Sequence, residues 1–245
     1  MRCALLKISV VVVFLIVSSL CEATIAQMQQ DGEFRVIDKY IKKRDVVFDG
    51  GAHVGHWSDH VLQATEKAVE LYSFEPAPHT FEQLQRLLGS SAHSFMIAFA
   101  NVDGYRDFFF YPGLAGPYHS SLFDWQRREK QKMSVRCRAI DSFCAEHGIE
   151  HVDFLKLDIE GAEFIALTGA KEMLEAQKIK FVQFEYNGEH PRANLKGIYA
   201  LLSKCGYRIY KILPRRLQAV PRWSSRLETK RGCTNYLAVL ADITV

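Results

Sequence analysis

From Phe34 onward the apolar residues fall into two alternating rhythms. Phe34, Ile37, Tyr40 and Ile41 recur at helical spacing, and the unbroken apolar run Val46-Val47-Phe48 then reads as a strand ending in the turn Asp49-Gly50-Gly51. Trp57, Val61 and Leu62 predict a following helix. The next strand is Val69 to Phe74, closed by Glu75, and Thr80 with Gln83 reads as a capping box ahead of Phe81, Leu84 and Leu88. Phe95 to Ala100 predicts a third strand, Asn101 to Gly104 a turn, and Phe108 to Tyr111 the apolar side of a hairpin. Pro112 to Ser121, rich in Gly and Pro, reads as a loop over a site. Strands at Val152 to Leu157, Phe181 to Phe184, Tyr207 to Leu213 and Tyr236 to Leu240 follow, with helices at Phe164 to Leu174 and Ile198 to Leu202 between them. A basic segment, Pro214 to Arg231, separates the last two strands. Strands alternating with helices predict an α/β domain on a mostly parallel sheet with helices on both faces.

The start of the chain breaks this rhythm. Arg2 and Lys7 precede an apolar run from Ile8 to Leu20, shorter than the ~20 residues a spanning helix needs, with small residues at Cys21 and Ala23 or at Thr24 and Ala26. Residues 1–27 are therefore expected to be a signal peptide or short membrane anchor, and residues 28–245 the folded domain. That places the protein in the secretory pathway or at a membrane, or in the cytoplasm if translation starts at Met28. Hydrophobic residues make up 48% and charged residues 24% of the 245, which excludes a disordered or fibrous chain. The net charge of +3 is too small to demand a nucleic-acid partner. Of the 6 cysteines, Cys3 and Cys21 lie in the leading segment, while Cys137, Cys144, Cys205 and Cys233 form no C-x-x-C pair, so no metal site is predicted.

The sharpest chemical signal is Asp49-Gly50-Gly51-Ala52-His53-Val54-Gly55, set between a strand and a helix start. Glycines there let the backbone approach a ligand, and the helix start presents free N–H groups. Glu75, at the end of the next strand, is placed to accept hydrogen bonds from a ribose diol. Dinucleotide folds use G-x-G-x-x-G over a pyrophosphate, which an anionic Asp49 would repel. A cofactor carrying ammonium and sulfonium charges suits it better, and that describes S-adenosylmethionine. Tyr207 and Lys211 match the Y-x-x-x-K spacing of short-chain dehydrogenases, but on a strand they stand about 13 Å apart.

A second constellation runs from Leu155 to Glu163, in the order Leu-Lys-Leu-Asp-Ile-Glu-Gly-Ala-Glu. Its strand delivers Asp158 to the carboxyl edge of the sheet, where open α/β folds bind ligands. Asp158 and Glu160 are candidate catalytic bases; the alternative is that Asp158 caps the next helix while Glu160 and Glu163 favour its positive end.

With these pieces, and with Ser73-Phe74-Glu75-Pro76, Ala139-Ile140-Asp141, Leu167-Thr168-Gly169-Ala170, Phe184-Glu185 and Asn235-Tyr236-Leu237-Ala238 in the same order, the sequence resembles the FkbM family of S-adenosylmethionine-dependent methyltransferases. The resemblance runs from about Val46 to Tyr236. It implies a Rossmann-like class I methyltransferase fold with a seven-stranded sheet ending in an antiparallel strand. It further implies that Asp49, Gly51 and Gly55 line the methionine part of the cofactor and Glu75 its ribose. His53, where the family usually has Asn, and Asn101 are expected to complete that set, and the acceptor is expected to be a hydroxyl of a sugar or related small molecule.

His119, in the Gly/Pro loop, is a third candidate base. His56, Glu185 and Asn187 lie where they can meet the acceptor. Arg215, Arg216, Arg222, Arg226, Lys230 and Arg231 read as a solvated surface, or as one that meets an anionic glycan or phospholipid. Two rival functions share part of the pattern. They are a nicotinamide-dependent oxidoreductase, which would use Glu75 in the same way, and a secreted non-catalytic glycan-binding module.

Overall fold

The computed structural model describes residues 25–110, 120–124, 130–228 and 232–245. Strand β1 (Val46–Gly50) is buried along its whole length and lies between β2 (Glu70–Phe74) and β7 (Val152–Leu157), parallel to both. The sheet extends outward from β2 to β3 (His93–Phe95), and from β7 to β8 (Ile179–Asn187), again in parallel. Beyond β8 comes β11 (Cys233–Leu240), antiparallel to β8 and to β9 (Tyr207–Leu213). A last strand, β10 (Arg216–Ala219), forms a hairpin with β9, so the order is β10-β9-β11-β8-β7-β1-β2-β3. The sheet therefore has eight strands where seven were expected. The extra one is short and polar, and such a strand at a sheet edge carries no alternating apolar signal.

Helices cover both faces, which explains why the central strands are continuous apolar runs. Residues Val47, Phe154 and Phe181 point toward α1 (Glu33–Tyr40), α2 (His56–Ala64) and α3 (Pro78–Leu88) through Ile37, Trp57 and Leu84. Phe48, Leu155 and Val182 point the other way. They meet α4 (Ile140–His147), α5 (Glu163–Thr168), α6 (Lys171–Glu175) and α7 (Leu195–Lys204).

Three expectations are corrected in detail. The single helix over Phe164 to Leu174 is two, because the chain passes so close to Ala100 that a Cβ on Gly169 would lie 2.1 Å from its carbonyl oxygen. Asp141 then holds the start of α6, accepting from the N–H groups of Glu172 (2.8 Å) and Met173 (3.0 Å). The run Phe95 to Ala100 is also divided. His93–Phe95 joins the main sheet, whereas β4 (Ala98–Phe99) pairs with β6 (Gln131–Arg138) in a separate three-stranded sheet completed by β5 (Gly104–Phe110). Finally, Thr80 caps nothing: α3 begins at Pro78, and Thr80 is buried in its first turn. Pro at a helix start gives up only an N–H that has no intrahelical partner.

All four cysteines among the described residues are free thiols, and no helix there is long and apolar enough to cross a membrane. Most of the leading segment lies outside the described residues.

Candidate active site

The carboxyl ends of β1, β2 and β7 meet around the glycine turn. The Asp158 N–H donates to the Gly50 carbonyl (3.0 Å), and the Gly51 and Ala52 N–H groups donate to Phe74 O (3.0 Å each). Gly51 has φ of 76°, and a Cβ there would sit 2.0 Å from Asp158 O. Glycine is thus required by the neighbouring strand end. His53 is also left-handed at φ 51°, a conformation in which Asn and His are both enriched over other residues. His53 is therefore compatible with the turn.

The His53 N–H donates to Glu75 Oε2 (3.0 Å), and the Ala77 N–H to Glu75 Oε1 (2.9 Å). These two bonds tie the glycine turn and the start of α3 to the end of β2. Burial pushes the Glu75 carboxyl up to about 7, against the lowering effect of those bonds. The His53 ring is pushed down to about 4 by burial, with His56 and Lys156 adding repulsion.

Behind this turn lies a buried ion pair. Asp49 is fully buried; its Oδ1 accepts from Lys156 Nζ (3.0 Å) and its Oδ2 from the Ser58 hydroxyl (2.8 Å). Lys156 Nζ also lies 3.8 Å from Asp158 Oδ2 and 5.6 Å from the Trp57 ring. Burial alone would lower the lysine, but the carboxylates of Asp49, Asp158 and Glu33 hold it above its ordinary value.

Beyond β7 the chain makes a tight turn, with Glu160 at φ 51° and Gly161 at φ 88°. The turn is anchored from inside by Glu163, whose Oε1 accepts from the N–H groups of Ile159 (3.0 Å) and Gly161 (3.2 Å). Asp158 does not cap α5, whose N-cap is Ala162 with no side-chain cap. The acidic side chain that satisfies this turn is therefore Glu163. Across the turn, the Ser121 hydroxyl donates to Glu160 O (2.8 Å).

Two cavities open at this edge. The first is lined by Gly51, His53, His56, Trp57, Glu75, Pro76, Phe99, Lys156, Asp158 and Glu160, with Met28 and Leu122 on its wall. At about 180 Å³ it is smaller than the ~300–1,000 Å³ usual for small-molecule sites, so a nucleoside-sized ligand needs Met28 or Leu122 to turn aside. The second, about 680 Å³, is lined by Asp31, Glu33, Asp158, Glu185, Lys211 and Asn235 among others. Met28 and Asp158 belong to both. Burial, with Asp158 beside it, pushes Glu33 up to about 7, and its Oε2 accepts from Gln183 Nε2 (2.8 Å). Glu185 is raised by burial and by the Asp158, Glu160 and Glu163 carboxylates.

Gly51, His53, Glu75, Asp158 and Glu160 are thus brought together on one cavity. Three sequence candidates are placed elsewhere. Asp49 lies behind the cavity wall and presents Lys156 to it, because both its oxygens are already engaged. Gly55 (φ 98°) packs against Leu84 of α3, where a Cβ would approach to 2.8 Å. Asn101 sits in an exposed turn, accepting from Arg106 Nη2 (2.6 Å). His119 lies outside the described residues. Asn187 holds a local turn by accepting from the Glu189 N–H (3.0 Å). Lys156 and Glu33 were missed; a lysine inside a strand buried on both faces is itself a signal that a carboxylate faces it.

Three buried carboxyls, Glu33 and Glu75 near 7 and Glu163 near 8, carry pKa values raised above the ordinary 4.5. The folded state therefore binds more protons than the unfolded one between those values. Their contribution to stability is complete below about pH 4.5 and is lost as pH rises through 7 to 8. The melting temperature should fall by several degrees from pH 5 to pH 8, and Glu163→Gln should flatten that slope. A calorimetric scan showing equal slopes for both proteins would contradict this.

Tyr207 and Lys211 both lie on β9, and the Tyr207 hydroxyl donates to Ile179 O in the interior, so no dehydrogenase-like pair forms. Comparison with known proteins agrees with the geometry. The family model described as "Methyltransferase FkbM domain" matches residues 49–209. The 2-O-methyltransferase NoeI of Sinorhizobium fredii (strain NBRC 101917 / NGR234) is 30% identical over 171 residues, covering 63% of this chain and 69% of that protein. The crystal structure of methyltransferase FkbM from Methylobacillus flagellatus KT superposes with a TM-score of 0.52 at 16% identity, over 80% of this chain and 44% of that one. A mostly parallel sheet with the antiparallel β11 inserted beside β8, a glycine turn bonded to the acid that follows β2, and a family match that runs from that turn to residue 209 lead to one conclusion: the chain belongs to the FkbM family of S-adenosylmethionine-dependent methyltransferases.

Proposed function

We propose that the chain methylates a hydroxyl oxygen of a sugar or related polyol, with the cofactor in the first cavity and the acceptor in the second. The observation that carries this reading is that Asp158 lines both cavities, so its carboxylate stands where the methyl donor and the acceptor would meet. The name of the NoeI relative, a 2-O-methyltransferase, supports oxygen as the acceptor atom.

The donor set of the first cavity fits the cofactor. An ionised carboxylate has about four lone-pair positions. Glu75 uses two on His53 and Ala77, which leaves two for a ribose diol. Trp57, Phe74, Ile97 and Phe99 supply an apolar wall for a base, and Asp158 and Glu160 supply negative charge near a cationic ligand. When bound, S-adenosylmethionine supplies a methyl carried on a sulfonium; an acceptor oxygen lone pair takes the methyl, the carbon–sulfur electron pair stays on sulfur, and the hydroxyl proton goes to a base.

Asp158 is the base for that proton. Lys156, held by Asp49, keeps Asp158 oriented at the junction and opposes the effect of burial on its ionisation. Gly51 and the His53 turn keep the first cavity's floor close to the strand ends.

Incubation with S-adenosylmethionine carrying an isotopically labelled methyl, over a panel of neutral glycosides, should give labelled methyl ethers that survive mild base. Label appearing on nitrogen or carbon, or on no sugar in the panel, would overturn the reading. The cofactor assignment has its own test. Glu75→Gln should weaken S-adenosylmethionine at least tenfold, because hydrogen bonds to a charged group contribute about 1.5–3 kcal/mol each. In the unsubstituted protein, affinity should rise as pH passes upward through about 7, since the ionised carboxylate accepts from hydroxyls that the protonated one cannot accept as fully. Titration calorimetry from pH 6 to pH 8 reads both effects, and a flat profile would place the ribose elsewhere.

A further inference from the structure

A third opening lies beside the acceptor cavity and has the opposite charge. Leu213 and Pro214 line the acid-rimmed cavity; the next two residues, Arg215 and Arg216, begin a groove of about 480 Å³. Its other cations are Arg35 and Lys39 from α1 and Arg208 from the far end of β9. No acidic side chain lines it, although the terminal residue Val245 does, and none of these cations has a carboxylate partner among the described residues. Five basic side chains and no acidic one share the groove in a chain whose net charge is only +3, which makes the groove locally positive.

Two orphaned donors sharpen the picture. Tyr40 is 8% exposed and lines the groove, and its hydroxyl has no hydrogen-bond partner. Arg35 also lines it; its Nη2 donates to Leu213 O (3.2 Å), while its buried Nε donates to nothing. A buried donor without a partner costs free energy that a bound acceptor would recover. The groove takes Arg208 and Tyr210 from β9, Arg215 from the β9–β10 turn, and Arg216 and Leu217 from β10, so its cations are spread over several positions and suit a chain with repeated anionic groups.

We infer that this groove binds the sulfate or phosphate ester groups of an anionic oligosaccharide whose chain continues from the acceptor cavity, which rests on the sugar reading given above. Guanidinium forks match tetrahedral oxyanions, and the Tyr40 hydroxyl and Arg35 Nε, buried in the ligand-free groove, gain an acceptor only if an entering oxyanion displaces the side chains that cover them. A bilayer surface would meet only the projecting Arg208, Arg215, Arg216 and Lys39. Single-stranded RNA needs open ring faces, whereas the Tyr40 ring is buried and lies under Lys39 Nζ at 4.9 Å.

The test is titration calorimetry of the full chain with a sulfated oligosaccharide prepared from heparin, with an uncharged dextran oligosaccharide of equal length as control. The sulfated ligand should bind, weaken steeply with added salt, and lose at least tenfold in affinity in Arg215→Gln/Arg216→Gln. Arg215 lies in the β9–β10 turn and Arg216 at the start of β10, both exposed, so the fold should hold, and turnover on a neutral sugar should be unchanged. Tyr40→Phe, which keeps the ring, should weaken binding several-fold. Equal affinity for dextran, or no loss in the double variant, overturns the proposal. So does tighter binding of anionic phospholipid vesicles or polyuridylate that is lost in the same variant. Methylation of a neutral sugar without sulfated-ligand binding overturns the groove alone. Groove binding with no sugar methylated overturns the acceptor reading alone.

Discussion

Lys156→Met is expected to cost about 3–5 kcal/mol of stability, the usual penalty for stranding one member of a buried ion pair. Asp49 is fully buried and keeps only the Ser58 hydroxyl once the ammonium is gone. The methionine chain occupies nearly the same volume, so the loss reports charge rather than a void. The physical content is in the cycle. Asp49→Asn added to Lys156→Met removes the stranded charge, and the double variant should recover a large part of the loss. Denaturant unfolding of the four proteins gives the coupling directly. A single-variant loss below about 1 kcal/mol would mean that water reaches Asp49 and that the pair is not the clamp its burial indicates.

Asp158→Asn is expected to lower single-turnover methyl transfer by at least about 100-fold, within the ~100- to 10,000-fold range of general-base contributions, while cofactor affinity stays within a few fold. Glu160→Gln should cost much less, because Glu160 lines only the first cavity whereas Asp158 lines both. Melting measured on the same preparations separates chemistry from folding. Asp158 caps no helix and Lys156 keeps its shorter contact with Asp49, so any stability lost should be smaller than in Lys156→Met. A large loss in Glu160→Gln with full activity in Asp158→Asn would transfer the role to Glu160. Full activity in both would transfer it to a residue outside the described segments, with His119 the first to try.

Much of the fold was legible locally. The β1, β7 and β8 strands are apolar runs of the kind that only a doubly covered sheet can hide, and the glycine turn and Glu75 stand where each strand stops. The misreadings share a cause. β10 is too short and polar to carry a pattern, and the break at Gly169 is imposed by Ala100, a residue from another part of the chain.

What the sequence by itself determined is the alternation of strands and helices, the turn chemistry after β1, and the acids at the strand ends, since each depends on side chains within a few positions of one another. What only the tertiary structure decided is which of those groups meet. Asp49 and Lys156 are 107 positions apart, and Glu33 and Gln183 are 150 apart. These pairs exist because β7 lies beside β1 and α1 packs across the sheet. That placement made Asp49 a support for Lys156, made Glu163 the anchor of the turn, and left Asp158 open to both cavities. The physical reason is that a buried charge is satisfied by whichever partner strand order brings within reach, and strand order is a property of the whole chain that no local window contains.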